Sequence, residues 1–254
     1  MSGGELIMGL LLNLVDDCAA AYQKDYCASK EFLTEDSVRT RIIQLHLDHE
    51  KKPRGFIRIT PTATVIAIAG TQDLEDAWKD AKVTREKYMK RFEVHRGFYG
   101  EYQLIWPTVR QNLSYNKPVY VTGHSLGGAI ATLLATSIKN NYDISPIVAT
   151  FGSPTVGEPA YAAFFDEYIE RSTRVVHAWD IVPRWPRGKN WKHVKGELHL
   201  SDAGRRIPAV EGWLRKLLYW REVLKEDLKG VSESDHKLSS YRKIVKRFEE
   251  RNAK

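Results

Sequence analysis

The hydrophobic positions of the chain first follow a helical spacing and then change to the short runs that are typical of strands. From Leu10 to about Tyr26, apolar side chains recur at helical intervals, which predicts a helix. Strand patterns follow at Arg39–Leu47 and Gly55–Thr60, and Thr62–Ala69 contains a continuous apolar run. The last of these predicts a strand that is buried on both faces.

The middle of the chain alternates between strand and helix patterns. Short apolar runs predict strands at Val119–Thr122, Pro146–Phe151 and Arg174–His177. Helical spacing between these runs predicts helices at Ala129–Lys139 and Tyr161–Arg171. Strands that alternate with helices of this length indicate an α/β fold with a mostly parallel sheet.

The last third of the chain is charged and helical. Apolar residues form one stripe in Trp213–Leu228 and another in Leu238–Phe248. Such a stripe predicts an amphipathic helix with one buried face. The sequence therefore predicts at least two helices after the last strand of the sheet.

Composition sets limits on the class of protein. The chain has 254 residues, of which 43% are hydrophobic and 28% are charged, and this is ordinary for a globular protein. We expect one domain over residues 1–254, since no repeat or Pro/Gly-rich linker divides it. The 39 Lys and Arg against 32 Asp and Glu give a net charge of +7. These charges are dispersed, which favours a solvated surface over a nucleic-acid site.

The N-terminal region carries the chain's two cysteines, Cys18 and Cys27. So few cysteines exclude a disulfide-scaffolded domain and allow a reducing compartment. The apolar segment Leu6–Val15 lacks a preceding basic region and leads directly into Asp16 and Asp17. We interpret it as the start of a core helix rather than a signal peptide. A cytoplasmic location is therefore expected, with secretion as the alternative.

The strongest chemical signal is the segment Gly123–Ala129, which contains the pattern Gly-x-Ser-x-Gly around Ser125. A nucleophilic serine at a tight strand-to-helix turn needs glycines on both sides, because side chains there would collide. The predicted strand before it and helix after it supply this context. The Leu126 amide would then face a developing oxyanion. The alternative is a glycine-rich helix start that serves only as a cap.

A serine nucleophile needs a base and an acid, which follow it in the order acid then histidine in this architecture. Asp180 directly follows a predicted strand, where catalytic groups gather, although it could also cap a turn. His236 lies between two helical segments on a loop that can reach back over the sheet. His193, in an expected hairpin at Trp191–Leu200, remains the alternative base, whereas His177 comes too early in the order.

Several ordered blocks of the sequence resemble the class 3 lipase family, of the fungal triacylglycerol lipase type. The resemblance extends from about Tyr22 to Tyr241. The blocks are Ala69-Gly70-Thr71, Trp78-Lys79-Asp80, His95–Phe98, Gly123–Ala129, Phe151–Gly157, Val176–Pro183 and Asp235-His236. Together they are far more specific than the serine motif alone.

The resemblance implies an α/β-hydrolase fold and a set of catalytic roles. Ser125 would be the nucleophile, Asp180 the acid and His236 the base. Thr71 would form the oxyanion hole together with Leu126. The implied activity is a serine carboxylic-ester hydrolase that cleaves acylglycerols or other fatty-acyl esters without a cofactor or a metal. A phospholipase A1 or an acyltransferase on the same triad is the alternative, and an inactive lipid-binding scaffold is the alternative outside enzymes.

The sequence departs from the family pattern at two places, and an insert is expected later in the chain. Ala69 stands where the family usually has an arginine, so any support from that arginine must come from elsewhere. The lid region expected at residues 72–94 is charged and only weakly apolar, so we hypothesise weak activation at lipid interfaces and good activity on short soluble esters. A helical insert is expected at 205–234, which includes Trp213 and could pack on the domain or contact a membrane surface.

Overall fold

The fold is described here from a computed structural model of the chain, for residues 9–23, 40–46, 53–71, 84–114, 116–178, 180–207 and 236–253. Most of the expected lid and helical insert, as well as Cys27, lie outside these described residues. The described residues include all the residues predicted to form the catalytic site.

Most described residues belong to five helices and nine strands, numbered along the described chain. The helices are α1 (Leu10–Ala21), α2 (Arg96–Asn112), α3 (Leu126–Tyr142), α4 (Pro159–Tyr168) and α5 (Leu238–Asn252). The strands are β1 (Arg41–His46), β2 (Pro53–Ile59), β3 (Thr64–Ile68), β4 (Arg85–Tyr88), β5 (Phe92–His95), β6 (Val119–His124), β7 (Ile147–Phe151), β8 (Arg171–His177) and β9 (Glu197–Leu200).

Seven strands form one central sheet in the order β1-β2-β3-β6-β7-β8-β9. The first three strands pair antiparallel, and every neighbour from β3 to β9 pairs parallel. The prediction of a mostly parallel sheet is therefore confirmed. Because β3, β6, β7, β8 and β9 run in one direction, their carboxyl ends meet at one edge, where α/β proteins place their functional groups.

The sheet is covered by helices on both faces. Ile66 and Ile68 of β3 belong to one apolar cluster with α2, α3 and α4, whereas Val65, which precedes Ile66, packs with α1 and α5. This alternation follows from the two-residue period of a strand, which sends neighbouring side chains to opposite faces. It explains why the run that forms β3 is apolar throughout, as the sequence predicted.

One hairpin of the structure was not predicted from the sequence, and another that the sequence predicted does not form. Strands β4 and β5 pair antiparallel within the expected lid region, where Glu93 forms ion pairs with Arg85 and Lys87. Three of the four residues of β4 are exposed, so it shows no apolar pattern. The hairpin expected at Trp191–Leu200 does not form, because β9 joins the edge of the sheet in parallel with β8.

Candidate active site

Ser125 lies at the sharp turn between β6 and α3. Its backbone has φ 58° and ψ −129°, a conformation that costs a non-glycine residue about 1–3 kcal/mol. A Cβ atom at Gly123 would lie 2.2 Å from the Gly127 carbonyl oxygen, and one at Gly127 would lie 2.3 Å from the Ile68 carbonyl oxygen. Both neighbours are backbone atoms that cannot rotate away. The glycines therefore allow the close approach that the sequence pattern predicted.

The turn is held by the sheet on one side and begins a helix on the other. The Ser125 N–H donates a hydrogen bond to the Phe151 carbonyl oxygen of β7 at 2.9 Å. Leu126 is the first residue of α3, so its N–H has no acceptor within the helix. The positive end of the helix dipole lies at the same place. This arrangement can stabilise negative charge next to Ser125.

Asp180 and His236 form a buried pair after β8. The His236 Nδ1 atom lies 2.6 Å from Asp180 Oδ2, and Oδ2 also accepts a hydrogen bond from the Tyr241 hydroxyl at 2.6 Å. The other oxygen, Oδ1, accepts from the Val182 N–H at 2.8 Å. A carboxylate can only accept, so Nδ1 of His236 carries the proton. The opposite nitrogen, Nε2, is then the basic one.

Two buried polar atoms of the site have no hydrogen-bond partner among the described residues. They are Ser125 Oγ and His236 Nε2. The two atoms therefore do not hydrogen-bond to each other in this structure. Catalytic hydrogen bonds are often loose without substrate and tighten when it binds. Because buried polar atoms are almost always paired, an unpaired hydroxyl and an unpaired basic nitrogen at one edge of the sheet indicate a functional role.

The other downstream histidines make their contacts elsewhere. His193, the alternative base, contacts the Pro183 carbonyl oxygen through Nε2. His177 Nε2 lies 2.6 Å from Asp202 Oδ1, and His199 lies 4.0 Å from Glu197. The structure therefore places His236, and not His193, against Asp180.

The turn that carries Thr71 packs directly against the elbow, the sharp turn at Ser125 between β6 and α3. A Cβ atom at Gly70 would lie 2.9 Å from the Ser125 Cβ atom, so only glycine fits there. The Gly70 carbonyl oxygen accepts a hydrogen bond from Arg54 Nη1 at 2.9 Å. An arginine thus supports this turn from β2, although Ala69 occupies the position where the family usually has one.

Two residues that shape the acid–histidine pair were not predicted from the sequence. Tyr241 donates its hydroxyl proton to Asp180, and burial together with the neighbouring Asp180 raises the pKa of this tyrosine well above its usual value. Gly152 has φ 62°, and a Cβ atom there would lie 2.9 Å from Asp180 Oδ2 and 3.0 Å from His236 Cε1. In the sequence, Tyr241 is one position of an apolar helix stripe, and nothing in the local pattern distinguishes its hydroxyl.

The described residues offer neither a metal-binding cluster nor a membrane-spanning helix. Across the residues that the structure describes, no group of three or more His, Cys, Asp or Glu side chains is arranged to hold a metal ion. Within the same ranges, no helix combines the length and apolar character that a membrane crossing requires.

Comparison with known proteins places this site in a context. The family model described as Lipase (class 3) matches residues 65–190, a range that includes Thr71, Ser125 and Asp180 and ends before His236. A lipase from Caenorhabditis elegans is 31% identical over 187 residues, which are 66% of this chain and 52% of that protein. Phospholipase A1-II 1 from Oryza sativa subsp. indica is 41% identical over 93 residues, 35% of this chain and 21% of that protein. The chain thus spans about half of the first relative and less of the second.

A solved structure and one more relative bear on the fold and the location. The lipase from Rhizopus microsporus var. chinensis superposes with a TM-score of 0.63 at 25% identity, over 75% of each chain. The α/β-hydrolase fold is thereby confirmed. A Gibberella zeae protein named secreted mono- and diacylglycerol lipase 2 is 35% identical over 126 residues, 42% of this chain and 31% of that protein. Its name gives no support to the predicted cytoplasmic location.

Proposed function

Because this chain belongs to the class 3 lipase family, we propose that it is a serine carboxylic-ester hydrolase that cleaves fatty-acyl esters, acylglycerols among them. The observation that carries the proposal is the hydrogen bond of His236 Nδ1 to buried Asp180, which leaves Nε2 as a free base at the edge where Ser125 lies. A strained serine and such a base at the same edge of the sheet are the groups that acyl transfer requires.

The first half of the reaction forms an acyl-enzyme. His236 Nε2 takes the proton of the Ser125 hydroxyl while Oγ attacks the ester carbonyl carbon. The carbonyl oxygen becomes an oxyanion, which the amides of Leu126 and Thr71 stabilise by hydrogen bonds. When the tetrahedral intermediate collapses, the bond to the alcohol oxygen breaks, and His236 gives its proton to the leaving alcohol.

The second half releases the acid. A water molecule attacks the acyl carbon while His236 Nε2 accepts one of its protons, and the oxyanion forms again in the same place. Collapse breaks the bond to Ser125 Oγ, which recovers its proton from His236. Asp180 keeps the imidazole in the useful tautomer and stabilises the imidazolium that forms in each half. The products are a carboxylic acid and an alcohol.

A fluorophosphonate probe tests the nucleophile and the substrate class together. We expect the probe to lose fluoride and form one covalent bond, at Ser125, because that hydroxyl has a base and an oxyanion site beside it. Peptide mass mapping identifies the modified residue, and the neighbouring buried Ser153 serves as the internal control. Release of fatty acid from trioleoylglycerol and phosphatidylcholine is measured before and after labelling. A label elsewhere, or hydrolysis that survives complete labelling, would contradict the proposal.

Phospholipase A1 activity is the second candidate function. The similarity to the rice phospholipase is the observation that favours it. The same triad would serve, since only the group attached to the ester differs. In the assay above, release of the sn-1 acid from phosphatidylcholine at a rate equal to or above that from trioleoylglycerol would select this candidate.

The charged character of residues 72–94 supports a further proposal about substrate form. Residues 72–83 lie outside the described part, but their sequence is acidic and weakly apolar, and β4 beyond them exposes charged side chains. Such a surface gains little free energy by opening onto oil. On a short-chain ester, we expect the hydrolysis rate to rise smoothly as the concentration passes the solubility limit. A sharp jump in rate when the emulsion forms would refute weak interfacial activation.

A further inference from the structure

A chain of hydrogen bonds connects the turn before Thr71 with the backbone of His236. The Gly70 N–H donates to the Tyr22 hydroxyl oxygen at 2.9 Å. The same oxygen lies 2.7 Å from His124 Nδ1, and His124 Nε2 lies 2.7 Å from the His236 carbonyl oxygen. Tyr22 follows α1, and Gly70 lies two residues after β3. His124 ends β6, and His236 lies two residues before α5. These hydrogen bonds therefore connect parts of the site that are distant in sequence.

The direction of each hydrogen bond follows from the chemistry of its ends. A carbonyl oxygen only accepts, so His124 Nε2 must carry the ring proton and donate it to His236. His124 Nδ1 then carries no proton and accepts a hydrogen bond from the Tyr22 hydroxyl. The Tyr22 oxygen in turn accepts from Gly70. The three hydrogen bonds therefore have one consistent set of donors and acceptors.

This direction requires a neutral His124, and its surroundings favour that form. The ring is buried and lies 4.8 Å from the His236 ring, centre to centre. Burial, and then repulsion from His236, lower the pKa of His124 to about 3. His124 therefore stays neutral when His236 takes up a proton during the reaction.

Arg54 makes a second hydrogen bond to the turn that carries Thr71. Its guanidinium donates to the Gly70 carbonyl oxygen, which belongs to the peptide group that also carries the Thr71 N–H. A peptide group is planar, so fixing its C=O also fixes the direction of its N–H. Tyr22 holds the preceding peptide through the Gly70 N–H. The two side chains thus define the orientation of the amide assigned to the oxyanion hole.

We propose that Tyr22, Arg54 and His124 are positioning residues, which align the Thr71 amide and the His236 imidazole with Ser125. This inference rests on the proposed ester hydrolysis and adds residues that touch neither substrate nor product. Their effect belongs to the transition state, because the oxyanion is present there and absent from the bound ester. Losing the alignment should therefore lower kcat far more than it changes KM.

Kinetics on a soluble p-nitrophenyl ester test this with the variants Tyr22→Phe and Arg54→Met. We expect each to lower kcat about 10- to 100-fold, less than the loss of a whole oxyanion-hole donor, with KM changed less than about threefold. The acylation burst and the steady-state deacylation should slow by similar factors, since both pass through an oxyanion. Arg54→Lys, which keeps a cationic donor, should recover part of the loss.

The matched control is Tyr102→Phe, which removes a buried phenol that hydrogen-bonds to Ser137 between α2 and α3, away from the elbow. Its kcat should stay within about twofold of the wild-type value, while all variants are checked for their thermal midpoints. If Tyr22→Phe and Arg54→Met behave like this control, or if Arg54→Lys recovers nothing, the positioning role is overturned. If the wild type itself neither labels with fluorophosphonate nor hydrolyses the ester, the proposed function fails instead.

Discussion

Replacing Ser125 with alanine is expected to lower kcat on a soluble ester by about 10⁶-fold, since loss of a triad serine removes the covalent route completely. The same change should leave the protein at least as stable as before. The Ser125 hydroxyl is buried and has no hydrogen-bond partner among the described residues, so its removal leaves no partner group unsatisfied. We therefore expect an inactive variant whose thermal midpoint is equal to or above that of the wild type.

The matched control for Ser125→Ala is Ser153→Ala. Ser153 is also buried close to the elbow, but its hydroxyl donates to the Pro154 carbonyl oxygen. This control should retain kcat within about threefold of the wild type and lose a little stability, because a buried hydrogen bond contributes about 1 kcal/mol. A Ser125→Ala protein that kept more than about a thousandth of the activity would show that another group is the nucleophile.

The second large effect is expected at Asp180. The change Asp180→Asn should lower kcat about 10⁴-fold, because an amide cannot satisfy its neighbours and also preserve the useful histidine tautomer. Asp180 accepts hydrogen bonds from three sides, from His236, Tyr241 and Val182. In either orientation, the NH₂ group of asparagine meets a donor. If it faces His236, the ring must move its proton to Nε2 and can no longer accept one from Ser125.

Proton NMR and a second acid variant check this explanation. The His236 Nδ1 proton should give a downfield signal in the wild type, and the signal should disappear in Asp180→Asn. Asp202→Asn is the control, because Asp202 makes the equivalent contact with His177, outside the proposed site. It should leave kcat within about threefold. Equal losses in the two variants would contradict a specific role for Asp180.

The sequence predicted those parts of the fold that depend on local patterns. The apolar run that forms β3 and the glycines around Ser125 are local consequences of burial and close approach, so both were visible. Strands β4 and β9 were not predicted as strands of their sheets. Most of β4 is exposed, and the pairing of β9 with β8 joins residues 23 positions apart. Such pairing depends on the tertiary fold rather than on periodicity.

The same distinction applies to the candidate site. Asp180 could be chosen because it follows a strand, but the sequence alone left His236 and His193 both open, since only the folded chain decides which ring reaches the carboxylate. Tyr22 and Tyr241 appeared as ordinary members of helix patterns. Their hydroxyl contacts join residues 102 and 61 positions apart, so no local signal could announce them.

The packing of α1 against α5 has a consequence for how activity arises as the protein folds. These helices lie near opposite ends of the described chain, and the bond from His124 to the His236 carbonyl closes a loop of 112 residues. Contacts of such long range form late, after the entropy of loop closure has been overcome. Ester hydrolysis would therefore appear only when folding is complete. A chain truncated before α5 would keep Ser125 but show no activity.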